Sequence, residues 1–222
     1  GTADGKDWDV CYEFPAGDIF HVHSIQYDEY RDRLWITTGD RNHENRLLYT
    51  DDKFATVELL GANDQGWRIV SMIINKDFLT WCSDNDSSGS HIYRYDFASQ
   101  ERQKIRFLGK TSYYATKLSD GTMAISTTYE PSSPYTTQFS PDLSADIWIS
   151  RDGLDWIKIA SFPYRSYETD YGGSRASVAF PDGEPLPALY FSPDNTTIDD
   201  NTIQKYNIQW KSDIAADFNG IQ

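Results

Sequence analysis

Ser150-Arg151-Asp152-Gly153-Leu154-Asp155-Trp156 and Thr2-Ala3-Asp4-Gly5-Lys6-Asp7-Trp8 are one pattern written twice, Ser/Thr-x-Asp-Gly-x-x-Trp. In such a turn the Asp carboxylate accepts nearby backbone N–H groups, Gly supplies a positive φ, and Trp is large enough to plug a seam between packed sheets. Looser copies stand at Thr50-Asp51-Asp52 and Lys211-Ser212-Asp213. About three periods of roughly fifty residues separate Asp4 from Asp152, so the turn marks a repeat.

Working outward from these turns, short runs rich in Val, Ile, Thr, Tyr, Phe and Trp alternate with clusters of Gly, Asp, Asn, Ser and Pro, and no helical period is sustained. The runs fall into groups of four. The first group is Phe20–Tyr27, Arg33–Thr38, Arg46–Thr50 and Thr56–Leu60, and the second is Trp67–Ile74, Phe78–Cys82, His91–Tyr95 and Gln103–Leu108. The third is Ser112–Leu118, Thr122–Thr128, Asp146–Ser150 and Trp156–Ser161. The fourth is Arg175–Phe180, Ala188–Phe191 and Ile203–Trp210, with little sign of a last strand. Four antiparallel strands per unit at this period predict an all-β propeller with about four blades, at 18–60, 66–109, 111–162 and 174–222. Trp8–Phe14, within residues 1–16, reads as an outer strand without its blade. The expectation is a single propeller domain that is part of a larger ring, with a ring closed by Trp8–Phe14 pairing beside Ile203–Trp210 as the alternative.

The repeated turn resembles the Asp-box, or BNR repeat, of sialidase-type propellers, one residue shorter than the commonest form. Such turns lie on the outer rim of a blade, so the resemblance implies the fold more than any activity. It also implies a carboxylate-binding set of arginines and a Tyr–Glu nucleophile pair, and most of these have no match. Trp67-Arg68-Ile69-Val70 keeps Arg-Ile but lacks the Pro that follows it in that family, and Arg175 stands as a second arginine. No third arginine and no Tyr–Glu pair are assignable.

Bulk properties narrow the partners. A net charge of −14 and a pI near 4.5, with scattered Lys and Arg, argue against nucleic acid. No apolar run reaches the length of a membrane span. Aromatic residues at 15% suit both stacked sheets and surfaces that hold sugar rings. Cys11 and Cys82 lie in apolar runs and are expected to be buried free thiols rather than a bridge.

In a blade of this order the start of the first strand and the end of the second share one edge. The second strands run out into Asp40, Asp84, Glu130 and Asp194, and the first strands open with His21-Val22-His23, Trp67-Arg68, Tyr113-Tyr114 and Ser174-Arg175. The expected ligand-binding set is therefore His21, His23, Asp40, Arg68, Asp84, Tyr113, Glu130, Arg175 and Asp194, gathered around one channel mouth. Each member also has a plainer reading: the acids as turn formers, the histidines as packing, the arginines as ties between blades. His21 and His23 share one side of a strand and could ligate a metal, but the spacing fixes no third ligand, so no metal or other cofactor is assigned. Asp84, Asp86 and Ser88 resemble the first half of a calcium loop whose twelfth position is Tyr95 instead of Glu.

These features lead to the expectation of an extracellular or surface-associated propeller that recognises carbohydrate. Two alternatives stay open. One is a polysaccharide lyase or glycosidase using His23, Tyr113 and Arg68. The other is a structural module of a surface or virion assembly.

Overall fold

The computed structural model describes the chain except residues 1, 3, 85–88, 132–137, 140–141, 167–174, 212–214 and 221–222, and describes only the backbone of residues 211 and 215–220. Four antiparallel sheets of four strands follow one another, each a simple meander, and these are the blades of a β-propeller. The first holds β1 (His21–Asp28), β2 (Arg33–Gly39), β3 (Arg46–Thr50) and β4 (Glu58–Ala62). The second holds β5 (Met72–Ile74), β6 (Phe78–Cys82), β7 (His91–Asp96) and β8 (Glu101–Phe107). The third holds β9 (Thr111–Lys117), β10 (Met123–Thr128), β11 (Ser144–Ser150) and β12 (Ile157–Pro163), and the fourth holds β13 (Ser177–Ala179), β14 (Leu189–Asp194), β15 (Gln204–Lys211) and β16 (Ala215–Gly220).

The chain divides into two compact units, Gly1–Val70 with the first blade and Ser71–Gln222 with the other three. In the second unit the blades stack face to face. Every residue of β10 is buried, and its side chains alternate between two cores. Met123 and Ile125 join Ile73, Cys82, Ile92 and Trp156 on the second-blade side, while Ala124 joins Ala145, Ile147, Val178, Leu189 and Phe191 on the fourth-blade side. A strand enclosed on both faces loses the apolar–polar alternation of a half-exposed strand, which is why Met123–Thr128 reads as a continuous Met-Ala-Ile-Ser-Thr-Thr run. Two polar members of that run have partners: Ser126 Oγ donates to the Val178 carbonyl at 2.6 Å, and Thr127 Oγ1 accepts from the Asp146 N–H at 3.0 Å.

In the first unit Trp35 and Leu47 are fully buried, with Ile36, Leu48, Trp67 and Ile69. The buried Trp35 indole has an acceptor: Nε1 donates to Asp28 Oδ2 at 3.0 Å. Asp28, itself buried, is paired with Arg31 at 2.8 Å, which offsets its desolvation.

The two repeated turns have the same hydrogen bonds. Asp152 Oδ1 accepts from the N–H of Leu154 (2.8 Å) and Asp155 (2.9 Å), and Ser150 Oγ accepts from the N–H of Gly153 (2.9 Å). Asp4 Oδ1 accepts from Lys6 (2.9 Å) and Asp7 (3.2 Å), and Thr2 Oγ1 accepts from Gly5 (3.0 Å). Gly153 and Gly5 have φ of 74° and 75°, the left-handed region that glycine enters without steric cost. At the looser copy, Asp52 Oδ1 accepts from Thr56 N–H at 2.9 Å. The copy at Lys211-Ser212-Asp213 falls mostly outside the described residues.

Several sequence expectations need correction. Trp8–Phe14 forms no strand. Tyr12 instead packs edge-on against Phe14 and stacks on Phe54. Trp8 is 73% exposed rather than inserted in a seam, and Cys11 is exposed rather than buried. Only Cys82 is a buried thiol, and both cysteines are free. The outer neighbour of β15 is β16, so the fourth blade completes itself with Ala215–Gly220. Trp67–Ile74 is not one strand: Gln65–Trp67 is a 3-10 turn whose N-cap, Asp64, accepts from Gly66 N–H at 2.7 Å, and the strand proper is Met72–Ile74. The first strand of the fourth blade is likewise shorter, Ser177–Ala179.

Candidate functional site

Apart from Asp194, the expected site residues fall into one group within each unit. In the first unit, β1 and β2 pair with His21 opposite Gly39, and the register slips between Val22 and Ser24. This bulge inserts His23 as an extra residue and turns its ring toward the end of β2. His21 Nδ1 lies 3.7 Å from Asp40 Oδ2, and His23 Nε2 lies 3.5 Å from Asp40 Oδ1. The two imidazoles are 4.6 Å apart between centroids. Arg68, placed by the 3-10 turn, brings Nη2 within 2.9 Å of Asp40 Oδ1. The absence of a side chain at Gly39 makes room for this group: a Cβ there would stand 2.9 Å from His23 Cε1 and 3.2 Å from Arg68 Cγ.

His23 is nearly buried, whereas His21 and Asp40 face solvent in part. His23 Nδ1 is 3.0 Å from the Ile69 carbonyl, a contact that only an N–H can satisfy, so Nδ1 carries the proton in the neutral ring and the Nε2 lone pair faces Asp40. Burial holds the His23 pKa below the ordinary histidine value, and the neighbouring His21 and Arg68 act the same way; the Ile69 carbonyl and Asp40 oppose them. The group therefore offers a neutral imidazole, a half-exposed imidazole, a carboxylate and a guanidinium at one strand edge.

The second unit builds its group across two blades. A main-chain bridge joins Tyr129 and Ala176, with N–H to carbonyl distances of 2.9 and 2.8 Å, and sets their neighbours Glu130 and Arg175 side by side. Tyr113, near the start of β9, donates its hydroxyl to Glu130 Oε1 at 2.5 Å. Arg175 Nη1 is 3.6 Å from that same oxygen, and its guanidinium lies over the Tyr113 ring at 4.9 Å. Asn195 Nδ2 donates to the Arg175 carbonyl at 3.1 Å and steadies its backbone. Burial raises the Tyr113 pKa, the charge of Asp84 raises it further, and so does the bond to Glu130. The phenol is thus held protonated, as a donor and an aromatic face.

Asp84 is buried and enters this group through its charge on Tyr113. Asp194 ends β14 exposed, opposite Ser177 in the β13–β14 register. Of the calcium-loop residues, Asp86 and Ser88 lie outside the described residues, as does Ser174.

One charged cluster was not foreseen. Lys110 is 1% exposed, and its Nζ donates to the Ser144 carbonyl and pairs with Asp146 Oδ2, both at 2.7 Å, and with Asp142 Oδ1 at 2.9 Å. A buried ammonium among these acceptors ties the start of β9 to the start of β11. Nothing around Lys110 in the sequence signals burial; the only cue is the Asp142 and Asp146 pair a strand away.

No family model and no curated protein matches the sequence. Among solved structures the chain is similar to one from a mechanistic study of two prolyl endopeptidases, with 13% identity over 100% of this chain and 30% of that one and a TM-score of 0.54. It is also similar to a proposed gluconolactonase (14% identity, 94% of this chain and 68% of that one, TM-score 0.46) and to TolB from Acinetobacter baumannii (16%, 77% and 42%, TM-score 0.38). The chain spans under a third of the length of the endopeptidase structure. At this identity the likeness establishes the propeller fold and carries no activity.

Proposed function

We propose that the chain is a carbohydrate-recognising propeller of a cell or particle surface, acting by binding acidic sugars. The observation that carries this reading is the Tyr113–Glu130–Arg175 group. Arg175 is about half exposed, with a planar fork of donors that suits a sugar carboxylate. Glu130 accepts from hydroxyls, and the Tyr113 ring beside Arg175 supplies aromatic surface for the apolar face of a pyranose. A lyase reading needs Tyr113 or His23 as a proton-abstracting base. Tyr113 holds its proton strongly and His23 is nearly buried, so binding is favoured over elimination.

Calorimetry against acidic and neutral oligosaccharides tests the proposal. Binding of a uronate- or sialate-bearing glycan is expected, and Arg175→Ala should weaken it by at least tenfold, the worth of a charge-assisted hydrogen bond. Retention of no glycan, or binding unmoved by Arg175→Ala, overturns it. Release of an unsaturated sugar product would instead favour the lyase.

A further inference from the structure

We propose that His21, His23 and Asp40 form a binding site for a divalent transition-metal ion of the zinc class, with one coordination position open to solvent. The three side chains each present one ligand atom, all within 4.8 Å of one another. A tetrahedral zinc with bonds of about 2.0–2.1 Å holds its ligands about 3.3 Å apart. His21 Nδ1 is 3.7 Å from Asp40 Oδ2 and His23 Nε2 is 3.5 Å from Oδ1, so the two rings approach opposite oxygens of one carboxylate, and a side-chain rotation that draws one atom from each, already within 4.8 Å of one another, onto a common centre is needed to reach that geometry.

Two imidazoles and one carboxylate favour zinc, copper or nickel over calcium or magnesium, which take oxygen donors. The second layer is in place. His23 hands its Nδ1–H to the Ile69 carbonyl, which fixes the tautomer and leaves Nε2 for the metal, the orientation seen at most histidine ligands. Arg68 holds one oxygen of Asp40 and leaves the other side of the carboxylate available. Its positive charge also limits the attraction for a cation, so the site suits a reversibly bound ion. His21 and Asp40 are 44% and 35% exposed, which leaves room on the solvent side for a water or an anionic ligand as fourth partner. The two histidines were visible in the sequence; the third ligand comes from the β1–β2 register and the bulge at His23.

The site lies in the first unit and stands independently of the glycan reading. The test uses the chain without a polyhistidine tag, stripped with a chelator and titrated with Zn²⁺ by calorimetry and with Co²⁺ by visible absorption. One ion per chain is expected, with cobalt bands of four- or five-coordinate nitrogen–oxygen ligation. His21→Ala, at a half-exposed position, and Asp40→Asn should each lower affinity at least tenfold, with an unchanged thermal midpoint of the metal-free protein showing that the fold is kept. His43→Ala, a control outside the group, should leave it unchanged. Absence of stoichiometric binding, or binding that survives His21→Ala unaltered, overturns the proposal whatever the glycan experiments show.

Discussion

The turns Thr2–Trp8 and Ser150–Trp156 share a sequence pattern, a set of hydrogen bonds and a glycine conformation, yet they end in opposite environments. Trp156 is 2% exposed and sits in the core between the second and third blades, whereas Trp8 is 73% exposed. Arg94 donates to the Asp152 carbonyl, and Arg106 Nη1 donates to the Trp156 carbonyl at 2.9 Å, so β7 and β8 of the neighbouring blade clasp the second turn. The comparison separates two things that the motif combines. The turn chemistry is local and forms wherever the residues occur; the energy of the Trp depends on what is packed against it.

The largest effect should separate the tryptophans. Trp156→Ala should cost about 3–5 kcal/mol in chemical denaturation, the range for removing a buried aromatic, while Trp8→Ala should leave the midpoint unmoved. Trp156 Nε1 has no hydrogen-bond partner among the described residues, so packing carries its contribution and Trp156→Phe should recover much of the loss. Equal effects at the two positions would break the comparison.

The glycines should differ next. Alanine at either position pays for a positive φ, roughly 1–2 kcal/mol. At Gly153 the new Cβ also meets the Phe78 ring at 2.8 Å, whereas at Gly5 nothing lies within 4 Å. Gly153→Ala should therefore be the more damaging, measured by thermal unfolding.

The smallest effect concerns the carboxylates. Burial pushes the Asp152 pKa up, but the N–H groups of Asp155 and Leu154 outweigh it and hold the acid below the usual range. A depressed folded pKa stabilises above the unfolded value and loses that stabilisation as pH falls through the folded one. Asp152→Ala should cost about 1 kcal/mol at neutral pH, and the gap to wild type should close only below about pH 4. Asp4→Ala should show no resolvable change, since that turn is exposed.

How much of this was legible follows the same division. Arg46–Thr50 and Phe78–Cys82 end where the sequence places them, because turn residues bracket a β-branched or aromatic run. Trp8–Phe14 failed because alternation becomes a strand only when a neighbour pairs with it. Ala215–Gly220 was missed for the converse reason: Ala-Ala-Asp-Phe-Asn-Gly has little strand propensity, and pairing with β15 recruits it. The candidate sites divide likewise. The residue types at the ends of β2 and β10 were readable from turn positions, but the bulge that aims His23 at Asp40 and the bridge that sets Glu130 beside Arg175 are tertiary.

The unequal fate of the two cysteines has a practical consequence. Cys82 is enclosed and its thiol pKa is raised by burial and by Asp84, so it stays protonated and inaccessible, while Cys11 stands open three residues beyond Trp8. A maleimide dye or nitroxide added to the native protein is thereby delivered to one address without mutagenesis, beside an indole that can quench or report. In an oxidising solution the same thiol couples two molecules through a single removable cross-link, and Cys11→Ser yields a chain with no reactive thiol.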